Sequence, residues 1–79
     1  MRIVIFGTGE CGQKLLSRPL RENCCIVLVC DNNASKWDEY CYGYLIEKPD
    51  KINGIFYDRV VVATDKYAYD IQKQLLDMG

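Results

Sequence analysis

Apolar and polar positions along this chain come in alternating blocks. Ile3 to Phe6 is a continuous apolar run rich in β-branched side chains, the pattern of a strand buried on both faces. Glycines follow at Gly7, Gly9 and Gly12, and from Glu10 to Ser17 the polar residues leave Leu15 and Leu16 on one side, which predicts a helix with those leucines turned toward a sheet. Pro19 removes a backbone donor and disfavours helix at Arg18, so the helix ends there or restarts for one turn. Polar Arg21, Glu22 and Asn23 form the exit loop. Cys25 to Cys30 (CIVLVC) is a second buried strand, closed by Asp31. Ala34 to Tyr40 forms one helical turn, and Tyr42 to Ile46 a short third strand that Pro49 stops. Asn53 and Gly54 turn the chain into a fourth strand from about Asp58 to Thr64, centred on Arg59 to Val62. Over Tyr67 to Met78, Ala68, Ile71, Leu75 and Leu76 recur at helical spacing, with Gly79 in the position of a C-cap.

Strands separated by helices pair in parallel through right-handed crossovers. The expected architecture is an α/β fold with a parallel sheet ordered 3-2-1-4, in a single domain spanning residues 1–79. A chain of 79 residues supports one small domain with a modest core. The apolar Val60 to Val62 strand at the end of such a sheet leaves an unpaired edge, which predicts a homo-oligomer or docking onto a larger enzyme.

Composition narrows the partners. A hydrophobic fraction of 49% with 27% charged residues is that of a folded, soluble domain. Ten basic against eleven acidic residues leave a net charge of -1, so no bulk field gathers nucleic acid or anionic lipid. The apolar run after Arg2 is too short for a signal peptide or a membrane span, and the expected compartment is the cytoplasm. Cys11, Cys24, Cys25, Cys30 and Cys41 contain no C-x-x-C, and the chain has no histidine, so mixed zinc patterns and His-based relays are excluded. The cysteines are expected reduced and mostly buried. Cys11 stands apart by its place at a helix N-terminus, although packing is its expected role.

The chemistry concentrates on the glycines. Strand, tight turn and helix follow in the order needed to hold a phosphate: Gly7 takes the turn conformation, Gly9 lets the main chain approach a ligand, and Gly12 lets the helix pack near the strand. The first helical N–H groups and the peptide dipoles favour an anion there, and Glu10 complements the same positive end. From Gly12 to Asp31 is 19 positions, near the ~20 at which a strand-ending acid meets ribose hydroxyls. Asp31 has a second reading as the cap of the turn that follows, because Asp31, Asn32 and Asn33 all favour turns. Lys36 can neutralise a ribose 2′-phosphate and allow NADP, whereas Asp31 argues for NAD, which ranks slightly ahead. Trp37 is expected to anchor its turn rather than stack on a base. Tyr40, Tyr42 and Tyr44 alternate as a strand edge does, giving one aromatic face. The Tyr-x-x-x-Lys spacings at Tyr44 to Lys48 and Tyr69 to Lys73 are accidental on positional grounds. Asp38, Glu39, Asp65 and Asp70 are expected to form solvated surface.

The segments IVIFGTGECGQKLL, LVCDNNASKW, GYLIEKPDKI and YDRVVVATDKYAYDIQKQLLDMG together resemble the small Rossmann-like NAD(P)-binding domains of bacterial polysaccharide and sugar-nucleotide proteins. Such modules resemble the N-terminal domains of sugar acyltransferases and of nucleoside-diphosphate-sugar epimerases or dehydratases. The resemblance runs the whole chain, and D-N-N-x-S-K-W is its most specific part. It implies a Rossmann-like parallel sheet, truncated relative to a full dinucleotide-binding fold. It also implies that Gly7, Gly9 and Gly12 cradle a pyrophosphate, that Asp31 and Asn32 flank the ribose, and that Ala63 and Thr64 line the crevice. With Thr8, Glu10 and Cys11 on the same turn, these residues make the expected binding set. The implied ligand is NAD, NADP or a nucleotide-sugar, in polysaccharide or sugar-nucleotide metabolism. No catalytic group accompanies the set, so a binding module serving an enzyme elsewhere is the leading expectation. A structural or interaction domain without useful affinity, or a fragment of a larger sugar-nucleotide enzyme of the NAD-dependent epimerase or dehydratase kind, is the alternative, and an S-adenosylmethionine site the third.

Overall fold

The computed structural model describes residues 1–18, 22–64 and 66–78; the expectations placed on Pro19, Arg21, Asp65 and Gly79 lie outside the described residues. In chain order the elements are β1 (Arg2–Phe6), α1 (Glu10–Leu16), β2 (Cys25–Cys30), β3 (Tyr40–Cys41), β4 (Tyr44–Glu47), β5 (Arg59–Val62) and α2 (Ala68–Met78), with 3-10 segments at Ala34–Lys36 and Pro49–Gly54. The five strands form one sheet in the order β3-β4-β2-β1-β5.

Central β1 pairs in parallel with β2 and β5, and β2 pairs in parallel with β4. At the far edge β3 pairs antiparallel with β4, Tyr40 facing Leu45 and Cys41 facing Tyr44. The molecule is therefore a small α/β domain with a mixed five-stranded sheet: the four expected strands pair in parallel in the expected order, as β4-β2-β1-β5, and the antiparallel β3 corrects the expectation of a Rossmann-like all-parallel sheet ordered 3-2-1-4. The cause is local. Tyr42 (φ 50°) and Gly43 (φ 84°) both take positive φ, the backbone of a two-residue type I′ hairpin turn. The segment expected to begin a strand at Tyr42 thus reverses the chain there.

Alternation along the strands builds a core on each face of the sheet. Val4, Phe6, Leu28, Cys30, Ile52 and Ile71 form one cluster, backed by Val60 and Val62 and by Leu75 and Met78 of α2. Ile5, Leu16, Val29, Ile46 and Ala63 form the other, backed by Leu15, Trp37 and Val61. Both faces of β1 are buried at its end, as its unbroken apolar run requires. In β2 the register shifts between Ile3↔Ile26 and Val4↔Leu28. Val27 is the extra residue, and the bulge resets which β2 side chains face which cluster. The Pro49–Gly54 segment contributes buried Pro49 and Ile52, so this turn is part of the core. Among the described residues no helix is long and apolar enough to cross a membrane.

Candidate functional site

The carboxyl ends of β1, β2, β4 and β5 are joined by hydrogen bonds that continue the ladder past the strands. The Gly7 amide donates to the Cys30 carbonyl at 2.8 Å, the Ala63 amide to Phe6 at 2.8 Å, and the Asp31 amide to Glu47 at 3.2 Å. Three chain exits therefore open side by side: the glycine turn, the segment after β2, and the segment after β5.

The three glycines meet different demands. Gly7 has φ +115°, and a Cβ there would lie 3.1 Å from the Ala63 carbonyl oxygen, so both conformation and space require glycine. A Cβ on Gly12 would overlap the Gly7 carbonyl oxygen, so helix α1 packs directly on the turn. Gly9 has φ -73° and ψ -158°, which any residue adopts, and a Cβ there meets nothing within 4 Å. The first turn of α1 follows Gly9, which caps it without a side-chain bond.

Thr8 points the other way. It is 2% exposed, and its amide and hydroxyl donate to Asp31 Oδ2 at 2.8 and 2.7 Å. Asp31 Oδ1 accepts the Asn33 amide at 2.8 Å, and Asn33 Oδ1 in turn accepts the Ser35 amide at 3.1 Å and its hydroxyl at 2.7 Å. The Trp37 indole donates to the Asp31 carbonyl at 2.7 Å, which anchors that ring half-buried against the second core cluster. Burial raises the Asp31 pKa, but donation from Asn33 and Thr8 and the Lys36 charge outweigh it and hold the carboxyl below its ordinary value. Asp31 is thus an ionised post to which the glycine turn and the β2 exit are both tied.

Between the three exits lies a cleft of about 750 Å³. Its first wall is Gly7, Gly9, Glu10 and Cys11, its second Asp31, Asn32, Asn33 and Lys36, and its third Ala63, Thr64, Lys66, Tyr67 and Asp70, over a floor that includes Phe6 and Ile71. Eight of the ten expected binding residues line it; Thr8 and Gly12 do not, being turned into the protein beneath the turn. The Asn32 side chain is joined to Gln74 of α2 by a reciprocal amide pair at 2.9 and 3.1 Å. Lys66, Tyr67 and Asp70 were not anticipated as lining; Asp70 is exposed, as expected, and also lines the cleft. Their signal was position, since they follow β5 as Asp31 follows β2.

The remaining candidate chemistry does not assemble here. Lys48 Nζ sits 5.3 Å from the Trp37 ring centroid, and Tyr69 is 77% exposed on α2, so neither Tyr-x-x-x-Lys spacing forms a site. All five cysteines are free, but only Cys30 is buried, while Cys11 and Cys25 are exposed; this corrects the expectation of mostly buried thiols and of a packed Cys11. Burial, with Asp31 and Glu47 nearby, pushes the Cys30 thiol up to about 12, so it acts as an apolar filler.

The whole chain, residues 1–79, matches a family described as C2185-like, N-terminal. The chain belongs to this family. No curated protein and no solved structure is significantly similar to it. The family match overturns the resemblance to Rossmann-like NAD(P)-binding domains of polysaccharide and sugar-nucleotide proteins, and so does the mixed sheet. The residues that carried the resemblance have local duties that explain them. Asp31 ties Thr8 to Asn33, Asn33 caps the Ala34–Lys36 turn, and Trp37 pins that turn to β2.

Proposed function

We propose that this domain is a nucleotide-binding module, holding NAD(P) or a nucleotide-sugar across the glycine turn at Gly7 to Gly12. Gly9 carries the reading. Gly7 and Gly12 are explained by the protein's own packing, but Gly9 has an unconstrained conformation and an empty approach on the cleft side. Glycine there leaves room for a ligand against the main chain. The cleft volume of about 750 Å³ falls within the ~300–1,000 Å³ of small-molecule sites, and its charged and polar walls stand over a floor that includes Phe6 and Ile71. Among the described residues that line the cleft no nucleophile is hydrogen-bonded to a base, and the proposal is for binding. The link to polysaccharide metabolism rested on the family resemblance alone and goes no further.

Calorimetry with NAD, NADP, AMP, UDP, UDP-sugars and S-adenosylmethionine tests this. One nucleotide of the panel binds, and Gly9→Val abolishes that binding while lowering stability by only about 1 kcal/mol, the scale of a weakened N-cap. Silence across the panel sinks the proposal and leaves a structural or interaction domain, a reading that the internal bonds of Asp31 favour. The outer edge of β5 carries no strand among the described residues, which supports self-association or docking onto a larger protein. A single monomeric species in sedimentation at high concentration, with no shift on adding a candidate partner, counts against that part.

A further inference from the structure

We infer, resting on the nucleotide-binding reading, that the cleft selects a nucleotide whose ribose carries a phosphomonoester, and that Lys36 determines this choice. A ribose diol is recognised when a carboxylate accepts both hydroxyl protons, which needs acceptor capacity on its two oxygens. Asp31 does not have it. Each carboxylate oxygen has about two acceptor directions, and Oδ2 already receives the Thr8 amide and hydroxyl, at 2.8 and 2.7 Å. Oδ1 receives the Asn33 amide at 2.8 Å, so a diol finds one vacant direction where it needs two. Asn32, the neighbouring polar group on this wall, is held in its pair with Gln74, which takes one of its two N–H donors and one of its two acceptor directions.

Lys36 is differently placed. It stands between this wall and a neighbouring depression lined by Thr8, Gln13 and Glu39, and its Nζ makes one long contact, 3.4 Å to the Thr8 carbonyl oxygen. An ammonium has three donors, so Lys36 keeps donors for an anion beside Asp31. A phosphomonoester replaces a hydroxyl proton that lacks an acceptor with oxygens that accept from Lys36. The Asp31 charge opposes such a phosphate, but three hydrogen bonds delocalise it and Lys36 compensates it. Of the other acidic groups on the cleft, Glu10 pairs with Lys14 at 3.7 Å, and Asp70 stands on the wall that also carries Lys66. The shared ligand chemistry is a ribose with a 2′- or 3′-phosphate, whichever larger nucleotide supplies it.

Isomeric ligands of equal phosphate count test this by calorimetry on the whole chain: 2′,5′-ADP, 3′,5′-ADP and 5′-ADP, with 5′-AMP as the unsubstituted reference. One of the first two binds about ten-fold tighter than 5′-ADP, the effect of one charge-assisted hydrogen bond, and which one it is identifies the 2′ or the 3′ source. Lys36→Gln brings the isomers to within about two-fold of each other and weakens the preferred isomer by more than it weakens 5′-AMP, since the added phosphate depends most on that charge. Equal or tighter binding of 5′-ADP by the native chain overturns the inference while leaving nucleotide binding intact. A uniform weakening of all four ligands in Lys36→Gln also overturns it. Binding of none of the four, with NAD and UDP-sugars equally silent, overturns both the inference and the function on which it rests.

Discussion

A Cβ at Gly12 meets the backbone carbonyl of Gly7, and backbone cannot step aside as a flexible side chain does. Gly12→Ala should therefore cost about 3 kcal/mol, the upper end of overpacking penalties, whereas Gly9→Ala should cost about 1 kcal/mol or less as a lost cap. Urea unfolding of the two variants checks the contrast, and equal losses would dissolve the distinction between a packing glycine and a ligand-side glycine. Asp31 gives a pH signature at the same scale. Its folded pKa is lowered, so the unfolded chain holds the proton more tightly. The stabilising contribution is then present above about pH 4, the unfolded value, and fades as pH falls through the folded one. Asp31→Asn should lower stability at neutral pH, because an amide oxygen cannot replace both carboxylate oxygens as acceptors for Thr8 and Asn33. It should also flatten the stability–pH curve below about pH 4; an unchanged acid limb would show that Asp31 is not the linked group. The glycines and Asp31 were legible in the sequence as a set, because turns and strand ends restrict residue choice. The partners of Asp31 were not, since Thr8 lies 23 positions away and nothing local distinguishes a buried threonine from one facing a ligand.

Among the elements, β1, α1, β2, β5 and α2 follow the apolar pattern closely because each buries a regular stripe or a continuous run. The β3–β4 hairpin escaped that logic. Tyr40, Tyr42 and Tyr44 alternate as one strand would, while the turn that breaks them is written as Tyr42–Gly43 rather than Asn–Gly. A tyrosine at φ 50° is uncommon, because side chains other than Asn and Asp crowd the following carbonyl in that region. The hairpin is held by its own ladder and by β4 pairing with β2, not by its turn: the Ile46 amide donates to the Glu39 carbonyl at 2.8 Å and the Asp38 amide to the Ile46 carbonyl at 2.9 Å, while Val29 and Cys30 of β2 face Ile46 and Glu47. Tyr42 is 61% exposed, so replacing it sacrifices little packing. Tyr42→Asn should accordingly stabilise the domain by about 0.5–1 kcal/mol, the value of relieving positive-φ crowding at an open site. For a domain of this size that is a rise in midpoint of roughly 2–8 °C, readable by thermal unfolding. A fall in the midpoint would mean that the tyrosine ring contributes more through contacts than its backbone costs.

At the scale of the whole molecule, the cleft exists only when residues separated by most of the chain are brought together. Gly9 comes from the first turn, Asp31 from the end of β2 and Thr64 from beyond β5, and the ladder bonds from Gly7 to Cys30 and from Ala63 to Phe6 hold the three exits in register. An unfolded chain offers no such surface, so a ligand of the cleft binds the folded state alone, and its binding free energy adds to folding stability. A radius of gyration of 11.7 Å is that of a compact domain of this length, about 11.6 Å by general scaling, so unfolding is expected to be a single cooperative step. At a free ligand concentration about 100 times its Kd, the added stability is about 2.7 kcal/mol. With about 4–8 °C per kcal/mol for a domain of 60–100 residues, the midpoint should rise by roughly 10–20 °C. The shift should grow with the logarithm of ligand concentration and vanish in Gly9→Val. A shift that survives in Gly9→Val would place the ligand elsewhere on the surface, because the side chain introduced there occupies the approach to the glycine turn.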